Sequence, residues 1–312
     1  MSQRSGSDSA RGRSLVLPLA ALAAIYFLWG TVFLAIRVGV QELPPFLMGA
    51  MRFVAASGIL AVIAFRVEHP KRIPIAHWRR YCLAGVAMFL GGNGLVNYGE
   101  LRVPSGMTSV LNSTIPLWMV LVEIVRGRIR PSWGIAAGVA GGVIGVSILV
   151  RPTPTEQLDP IAAGAILLAA ACWAIGSLWV RDDAPPAGPL TVGAVEMGAG
   201  GLALLAVAGL TGEIASFNPA LVSPGAWLSL AWLILPAGVI TFGSYMCALR
   251  TWPSHLVATY PYVNSVTAVG LGWLLLAEPL SGRTLLGCAV VLGSAAVIAV
   301  RAVPRREVAI VC

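Results

Sequence analysis

The sequence predicts an all-α integral membrane protein: ten transmembrane helices arranged as two inverted five-helix repeats, with both termini cytoplasmic. Three observations carry that reading. The 312 residues are 57% hydrophobic and only 11% charged, with a mean hydropathy of +0.83, whereas a soluble domain carries about 25% charged residues. Ten apolar stretches of spanning length follow one another, separated by short breaks. The second five resemble a worn copy of the first five.

A helix needs about 20 mostly apolar residues to cross the bilayer core. Span 1 is read at 15–36, behind a tail of residues 1–14. Arg11 and Arg13 ahead of an apolar run would also suit a signal peptide, with small residues near Ala20–Ala24 for cleavage. The run continues to Ile36, too long for a typical h-region, so it is taken as a span. Spans 2 to 5 are read at 45–65, 81–99, 106–125 and 131–150, closing a first repeat over 15–150. Spans 6 to 10 are read at 160–180, 190–209, 225–248, 254–277 and 283–300, a second repeat over 151–300 ahead of a cytoplasmic tail at 301–312. Nothing outside the spans is long enough to fold as a separate soluble domain. The cysteines give no disulfide framework: Cys82, Cys172, Cys247 and Cys288 lie in or at spans, and Cys312 ends the chain.

The net charge of +8 invites a nucleic-acid reading, which its distribution excludes. With the N-terminus inside, the interior segments hold most of the basic residues, from Arg4 and Arg11 to Arg305 and Arg306. The exterior loops hold only Arg37, Arg102, Arg151 and Arg283, and Arg52 sits inside a span. The positive-inside rule then puts both ends in the cytoplasm.

The duplication rests on ordered landmarks. At a shift of 144 residues, Trp29 falls on Trp173, Arg37 on Arg181, Pro45 on Pro189, and Gly49-Ala50 on Gly193-Ala194. The shift grows to 148 at Leu101-Arg102 and Leu249-Arg250, and to 149 at Pro104-Ser105 and Pro253-Ser254. Five spans per copy make the copies antiparallel across the membrane. Inverted repeats place solute sites between the halves and support alternating access.

The later part of the second copy reads Pro253-Ser254, then Tyr260-Pro261-Tyr262-Val263-Asn264, then Gly272-Trp273-Leu274-Leu275-Leu276-Ala277-Glu278-Pro279-Leu280. This block, with Pro116 in the first copy, resembles the EamA-type exporters of the drug/metabolite transporter superfamily, over about residues 15–300. The closest likeness within that family is to bacterial exporters of aromatic amino acids. The resemblance implies a bacterial inner-membrane address and a cavity lined by helices 1, 3, 4, 6, 8 and 9. Two positions depart from the family pattern. Ser265 replaces the proline usual at its twin position, which implies a straighter helix 9, and Gly127-Arg128-Ile129 lacks the usual Gly-Glu at the end of helix 4.

Polar groups inside a bilayer are costly and face the bundle interior or a wet cavity. The candidate substrate-binding set is Trp29, Asn93, Asn97, Tyr98, Asn112, Trp118, Trp173, Tyr245, Tyr260 and Asn264. Asn93 and Asn97 share a helical face, and Gly91-Gly92-Asn93-Gly94 loosens span 3 there. Pro116 frees a carbonyl in span 4. Such a neutral cavity of amides and aromatic faces suits a zwitterion with a planar or apolar side chain. The blander reading is that amides and hydroxyls glue helices together and that Tyr98 marks the interface.

Arg52 and Glu196 coincide at the 144 shift, but inversion sets them toward opposite faces, so separate structural partners are expected, with Glu100 or Glu278 for Arg52. Glu123 is expected to snorkel toward Arg126. Gly134, Gly138 and Gly142, with Gly141 and Gly145, are expected to pack helix 5 on helix 10.

The reading that follows is a secondary transporter exporting small neutral or zwitterionic metabolites, amino acids first, in facilitated fashion. Its partners are the solute and the lipid bilayer, with no nucleic acid, and a monomer is favoured. A proton-coupled exporter is the alternative, weakened by the lack of carboxylates at the centres of helices 1, 3, 6, 8 and 9. A P-loop pump is excluded because Lys71 is the only lysine. A lipid-processing enzyme would need a convergent catalytic set; His69, His77 and His255 have no zinc spacing, and no cofactor or metal is expected. No filter motif or charge ring suggests a channel.

Overall fold

The computed structural model describes residues 18–69, 73–128, 130, 132–150, 159–181, 187–251 and 260–302. The tail 1–14, most of the tail 301–312, Lys71, Arg151, Pro253-Ser254 and His255 lie outside these residues, as do the side chains of Arg181, Cys247 and Arg250. Among the described residues the chain is helical, without strands.

The long helices are α1 (Pro18–Gly39), α2 (Pro45–Val67), α3 (75–99), α4 (Ser105–Val125), α5 (Trp133–Val150), α6 (Pro160–Arg181), α7 (Pro189–Leu210), α8 (224–251), α9 (Tyr260–Leu276) and α10 (Gly282–Ala302). Six of them (α1, α2, α4, α6, α7 and α8) contain stretches long and apolar enough to cross a bilayer, and α5, α9 and α10 contain shorter apolar runs. The outer surface is apolar: Val62, Phe65, Leu168, Leu202, Leu228 and Leu274 are each more than half exposed. Meanwhile Arg52, Asn97, Glu100 and Glu196 are buried. That inversion of the soluble pattern fits a surface bathed in hydrocarbon.

The packing is two-fold in plan. α2 lies against α7, α5 against α10, and α4 against α9, while α1 packs on α8 as α6 packs on α3. α2 and α7 run antiparallel, since Ser57 Oγ donates to Ala194 O at 2.7 Å, Gly201 sits on Val54, and Gly49 sits on Leu204. α5 meets α10 through Gly141 against Ser294, Gly145 against Val291 and Gly287 against Leu149. The expected glycine row is therefore shifted: Gly142 faces Leu117 of α4, because the contact stripe follows Gly141 and Gly145.

Helix ends leave unpaired N–H or C=O groups, each carrying about half a charge in sum. Charged side chains from the other half of the chain hold several of them. Glu68, just past α2, accepts from Leu190 N at 2.8 Å, Thr191 N at 2.9 Å and Thr191 Oγ1 at 2.7 Å at the start of α7. Glu213, just past α7, returns the contact by accepting from Leu47 N of α2 at 2.8 Å. Glu278, past α9, accepts from Ser105 N at 2.7 Å and Gly106 N at 3.1 Å at the start of α4. The chain turns sharply beside each carboxylate, at His69 (φ 46°), Gly212 (φ 77°) and Ala277 (φ 52°).

The fourth corner differs. After Gly127 (φ 69°) comes Arg128, which folds back to 3.8 Å from Glu123, with Arg126 at 3.9 Å from the same oxygen. At opposite helix ends, Arg283 Nε and Nη2 donate to Ile148 O (2.7 Å) and Leu149 O (3.0 Å), and Arg80 Nε donates to Trp179 O at 2.5 Å.

Asp159 caps α6 through Ile161 N at 2.9 Å and Ala162 N at 3.2 Å and pairs with Arg102 at 2.9 Å. The N–H of Ala162, then that of Ile161 and the Arg102 guanidinium, hold its carboxyl below the usual carboxylate range. A depressed folded pKa means the cap stabilises above the ordinary value of about 3.9 and is lost as pH falls through the lower folded value. Asp159→Ala is therefore expected to melt below wild type at pH 7, with the gap closing in strong acid. A gap constant from pH 7 to pH 2 would show that the carboxylate contributes nothing.

Candidate solute cavity

A cavity of about 300 Å³ lies between the two halves, walled by α1, α2, α3, α4, α6, α7, α8 and α9. Four of the helices that face it are irregular at its level. α1 breaks at residues 29–31, where Thr31 Oγ1 takes the carbonyl of Leu28 at 2.7 Å. α4 breaks at Ser113 and Thr114, ahead of Pro116, with both hydroxyls donating to carbonyls one turn back at 2.6 and 2.7 Å. α3 winds as a π-helix over Val86–Gly94 and α8 over Leu235–Ile240.

The two π segments are equivalent at a shift of 148. In α3, Asn93 Nδ2 donates to Met88 O at 3.3 Å; in α8, Thr241 Oγ1 donates to Pro236 O at 2.7 Å. Each bond runs from a side chain to the carbonyl five residues back, which satisfies acceptors that the widened turn frees. Such bulges occur frequently at functional sites. Ala237 O of the second bulge accepts from Trp29 Nε1 at 3.0 Å, pinning the indole of α1 to α8.

Two aromatic clusters stand around the paired tryptophans. Trp29 lies 5.4 Å from Tyr245 and 4.8 Å from Tyr260, ring centre to ring centre. Trp173 meets Phe89 edge-on at 5.8 Å, and Phe89 meets Phe53 at 4.6 Å. These tilted and edge-to-face geometries leave ring faces and edges on the cavity wall. Asn264, with its amide turned so that nitrogen donates, reaches Tyr26 O at 3.0 Å and Tyr260 O at 3.1 Å. Ser265, in the place of a proline, donates to Ser109 O of α4 at 3.1 Å, and α9 runs as an unbroken α-helix from Tyr260.

Of the residues singled out in the sequence, Trp29, Asn93, Asn112, Trp173, Tyr245, Tyr260 and Asn264 are on the wall. Three are elsewhere. Asn97 is fully buried and donates to Pro45 O at 3.0 Å, joining α3 to the start of α2. The cavity stripe of α3 runs Phe89, Gly92, Asn93, Val96, so Asn97 falls one position past it. Tyr98 is 38% exposed, and Trp118 is partly buried off the lining.

Among the contributors that were missed are Phe53, Phe89, Arg52 and Glu196. The cavity is not neutral, because α2 and α7 also wall it and bring in the last two. Their signal was present: intramembrane charges are functional candidates by default, and this pair coincides under the repeat. Of the two carboxylates expected for Arg52, Glu278 is engaged at the start of α4, whereas Glu100 attracts the guanidinium electrostatically without an ion pair at contact distance among the described residues; the guanidinium lies 4.6 Å over the Phe53 ring. No group of His, Cys, Asp and Glu suited to a metal occurs among the described residues.

A bundle with an apolar exterior and a polar, aromatic-walled cavity between two like halves defines a membrane transporter. The EamA-like transporter family matches the chain twice, at residues 16–151 and 160–300, and the protein belongs to that family. It is 33% identical over 275 residues to the uncharacterised inner membrane transporter YedA of Escherichia coli K12, covering 87% of each chain. It is 27% identical over 301 residues to a chloroplastic WAT1-related protein of Arabidopsis thaliana, covering 93% of this chain and 71% of that one. Protein PecM of Dickeya dadantii is 26% identical over 270 residues. A solved structure at 20% identity superposes with a TM-score of 0.61 over 92% of this chain, which shows the shared fold. The protein is a multi-pass transporter of the inner membrane.

Proposed function

We propose that the chain crosses the membrane ten times as two inverted five-helix repeats, with both termini cytoplasmic. On this reading it moves amino-acid-like zwitterions, aromatic ones included, outward by alternating access. The observation that carries the substrate class is the wall itself: aromatic clusters around Trp29 and Trp173, amides at Asn93, Asn112 and Asn264, and one basic and one acidic side chain at Arg52 and Glu196. Rings offer faces for a planar side chain, and the two ionisable groups offer partners to a carboxylate and an ammonium group. Breaks and bulges in α1, α3, α4 and α8 at cavity level supply places where helices can bend between access states.

Glu196 favours a second reading of the energetics. It is buried on the cavity wall with Oε1 unpartnered, and such a carboxylate is the group a proton-coupled carrier uses. Flux of labelled phenylalanine, tryptophan and leucine into proteoliposomes, with and without a pH gradient, tests both. Saturable flux without a gradient supports facilitated export, and flux only with a gradient supports coupling. No amino-acid flux from folded protein would sink the substrate class. Tyr260→Ala is expected to lower phenylalanine flux roughly tenfold, the loss of about 1.5 kcal/mol of ring contact, with insertion unchanged. Unaltered flux would remove Tyr260 from the site.

A further inference from the structure

We propose that Arg52 is the anion handle of the cavity, the group that binds the carboxylate of the transported solute. The proposal deepens the amino-acid reading above and rests on it for the identity of the solute, not for the chemistry of the site.

Arg52 lies seven residues into α2, is 5% exposed and lines the cavity. Its Nε and Nη1 have no hydrogen-bond acceptor. A guanidinium has five N–H donors in a rigid fork matched to a carboxylate, and burying it without a partner is costly. The one contact shown for it is the Phe53 ring at 4.6 Å, which attracts a cation but leaves the in-plane N–H edge free.

The nearby carboxylates do not fill that edge. Glu278 is held by the amides of Ser105 and Gly106. Glu100 attracts Arg52 electrostatically, yet both its oxygens are themselves unpartnered and it is not a lining residue. Glu196 is too distant. With Gly201 beside Phe53 and Val54 in the antiparallel α2–α7 pair, Arg52 lies level with about residue 202 of α7. That places it about 9 Å along the axis from Glu196 at 1.5 Å per residue. The other polar groups of the wall, Asn93, Ser109, Asn112 and Ser113 among them, are uncharged. A mobile anion is the further partner the site can take: a carboxylate presented from the cavity would meet the guanidinium on its lining side without adding a second fixed charge.

A purely structural arginine and a ligand handle respond oppositely to replacement. Removing a buried charge that no hydrogen bond satisfies relieves its desolvation cost and so offsets the lost attraction to Glu100, whereas breaking a structural pair lowers stability. Purified full-length wild type, Arg52→Met and Arg52→Lys would be melted in detergent with phenylacetate and with its neutral isostere phenylacetamide. Phenylalanine and phenylalaninamide would then be compared as labelled substrates in proteoliposomes.

The expected result is stabilisation of wild type by phenylacetate but not phenylacetamide, loss of that response in Arg52→Met with an unliganded melting temperature at or above wild type, and partial recovery in Arg52→Lys. In flux, KM for phenylalanine is expected to rise roughly ten- to hundredfold in Arg52→Met, the size of a charge-assisted bond, while the amide is handled alike by both proteins. Equal stabilisation of wild type by acid and amide, or a carboxylate response kept in Arg52→Met, would overturn the proposal even if phenylalanine is transported. A carboxylate response that depends on Arg52, in a protein that moves no amino acid, would uphold the handle and reject the amino-acid reading. A collapse of Arg52→Met with Arg52→Lys stable and unresponsive to phenylacetate would assign Arg52 to the scaffold.

Discussion

Gly85→Leu is expected to abolish transport and to destabilise the protein by about 1–3 kcal/mol or more, the range for forcing side-chain volume into a packed contact. Gly85 is where α3 crosses α7. A Cβ there would lie 2.6 Å from Glu196 Cα and 2.7 Å from Glu196 C, distances that real side chains do not reach. The partner backbone cannot simply retreat. On the other helix, Gly200 is equally close, with a Cβ there 2.6 Å from Gly85 O and against the Phe89 side chain. Two backbones in contact gain dispersion energy that lipid does not match, which is why small residues mark such crossings in membranes. The same crossing sets Glu196 and Phe89 on the cavity wall, so opening it also deforms the site. Gly85→Ala is expected to be milder in the same direction. Thermal stability of the detergent-solubilised variants, read beside proteoliposome flux, checks both; a Gly85→Leu protein that melts with wild type would show that the crossing tolerates a side chain.

Glu68→Ala is expected to cost about 2–3 kcal/mol, the sum of a lost helix cap and charge-assisted hydrogen bonds. The carboxylate serves three donors at once, the amides of Leu190 and Thr191 and the Thr191 hydroxyl. Its loss leaves the positive end of α7 without an acceptor at a partly buried site. Because Glu68 belongs to the end of α2, the change also unties the two halves at that corner. Glu68→Gln keeps one oxygen and is expected to lose about half as much. Glu213→Ala, at the opposite corner with its bond from Leu47, is expected to cost less than Glu68→Ala. Equal melting of Glu68→Ala and wild type would mean that water or headgroups replace the carboxylate without loss.

Much of this architecture is legible one residue at a time. Hydropathy runs locate α2, α6 and α7 to within a residue or two, because a lipid-facing helix must be apolar over its whole length. The aromatic wall is legible for the same reason: Trp29, Trp173 and Tyr260 stand out in a chain of small aliphatic residues. The π segments are half legible. Gly91-Gly92-Asn93-Gly94 announces a loosened turn, but nothing in the α8 sequence except Pro236 announces its twin. Asn97 misleads, since one residue of drift along α3 turns an amide from the cavity to a helix seam.

The sequence by itself determined the solvent of this protein, its duplicated plan and the family to which it belongs, because each follows from patterns that run along the chain: apolar length, the order of Trp, Arg and Pro, and a contiguous motif. Only the tertiary structure decided which polar groups meet. Glu68 reaches α7, Glu278 reaches α4, and Arg52 and Glu196 enter one cavity because helices distant in sequence pack side by side. A charge in a membrane span must find either a partner or a cavity, and the sequence states the need without stating the answer. For Arg52 the answer turned on α2 and α7 forming part of the wall, a matter of how antiparallel helices cross and not of any residue's own character.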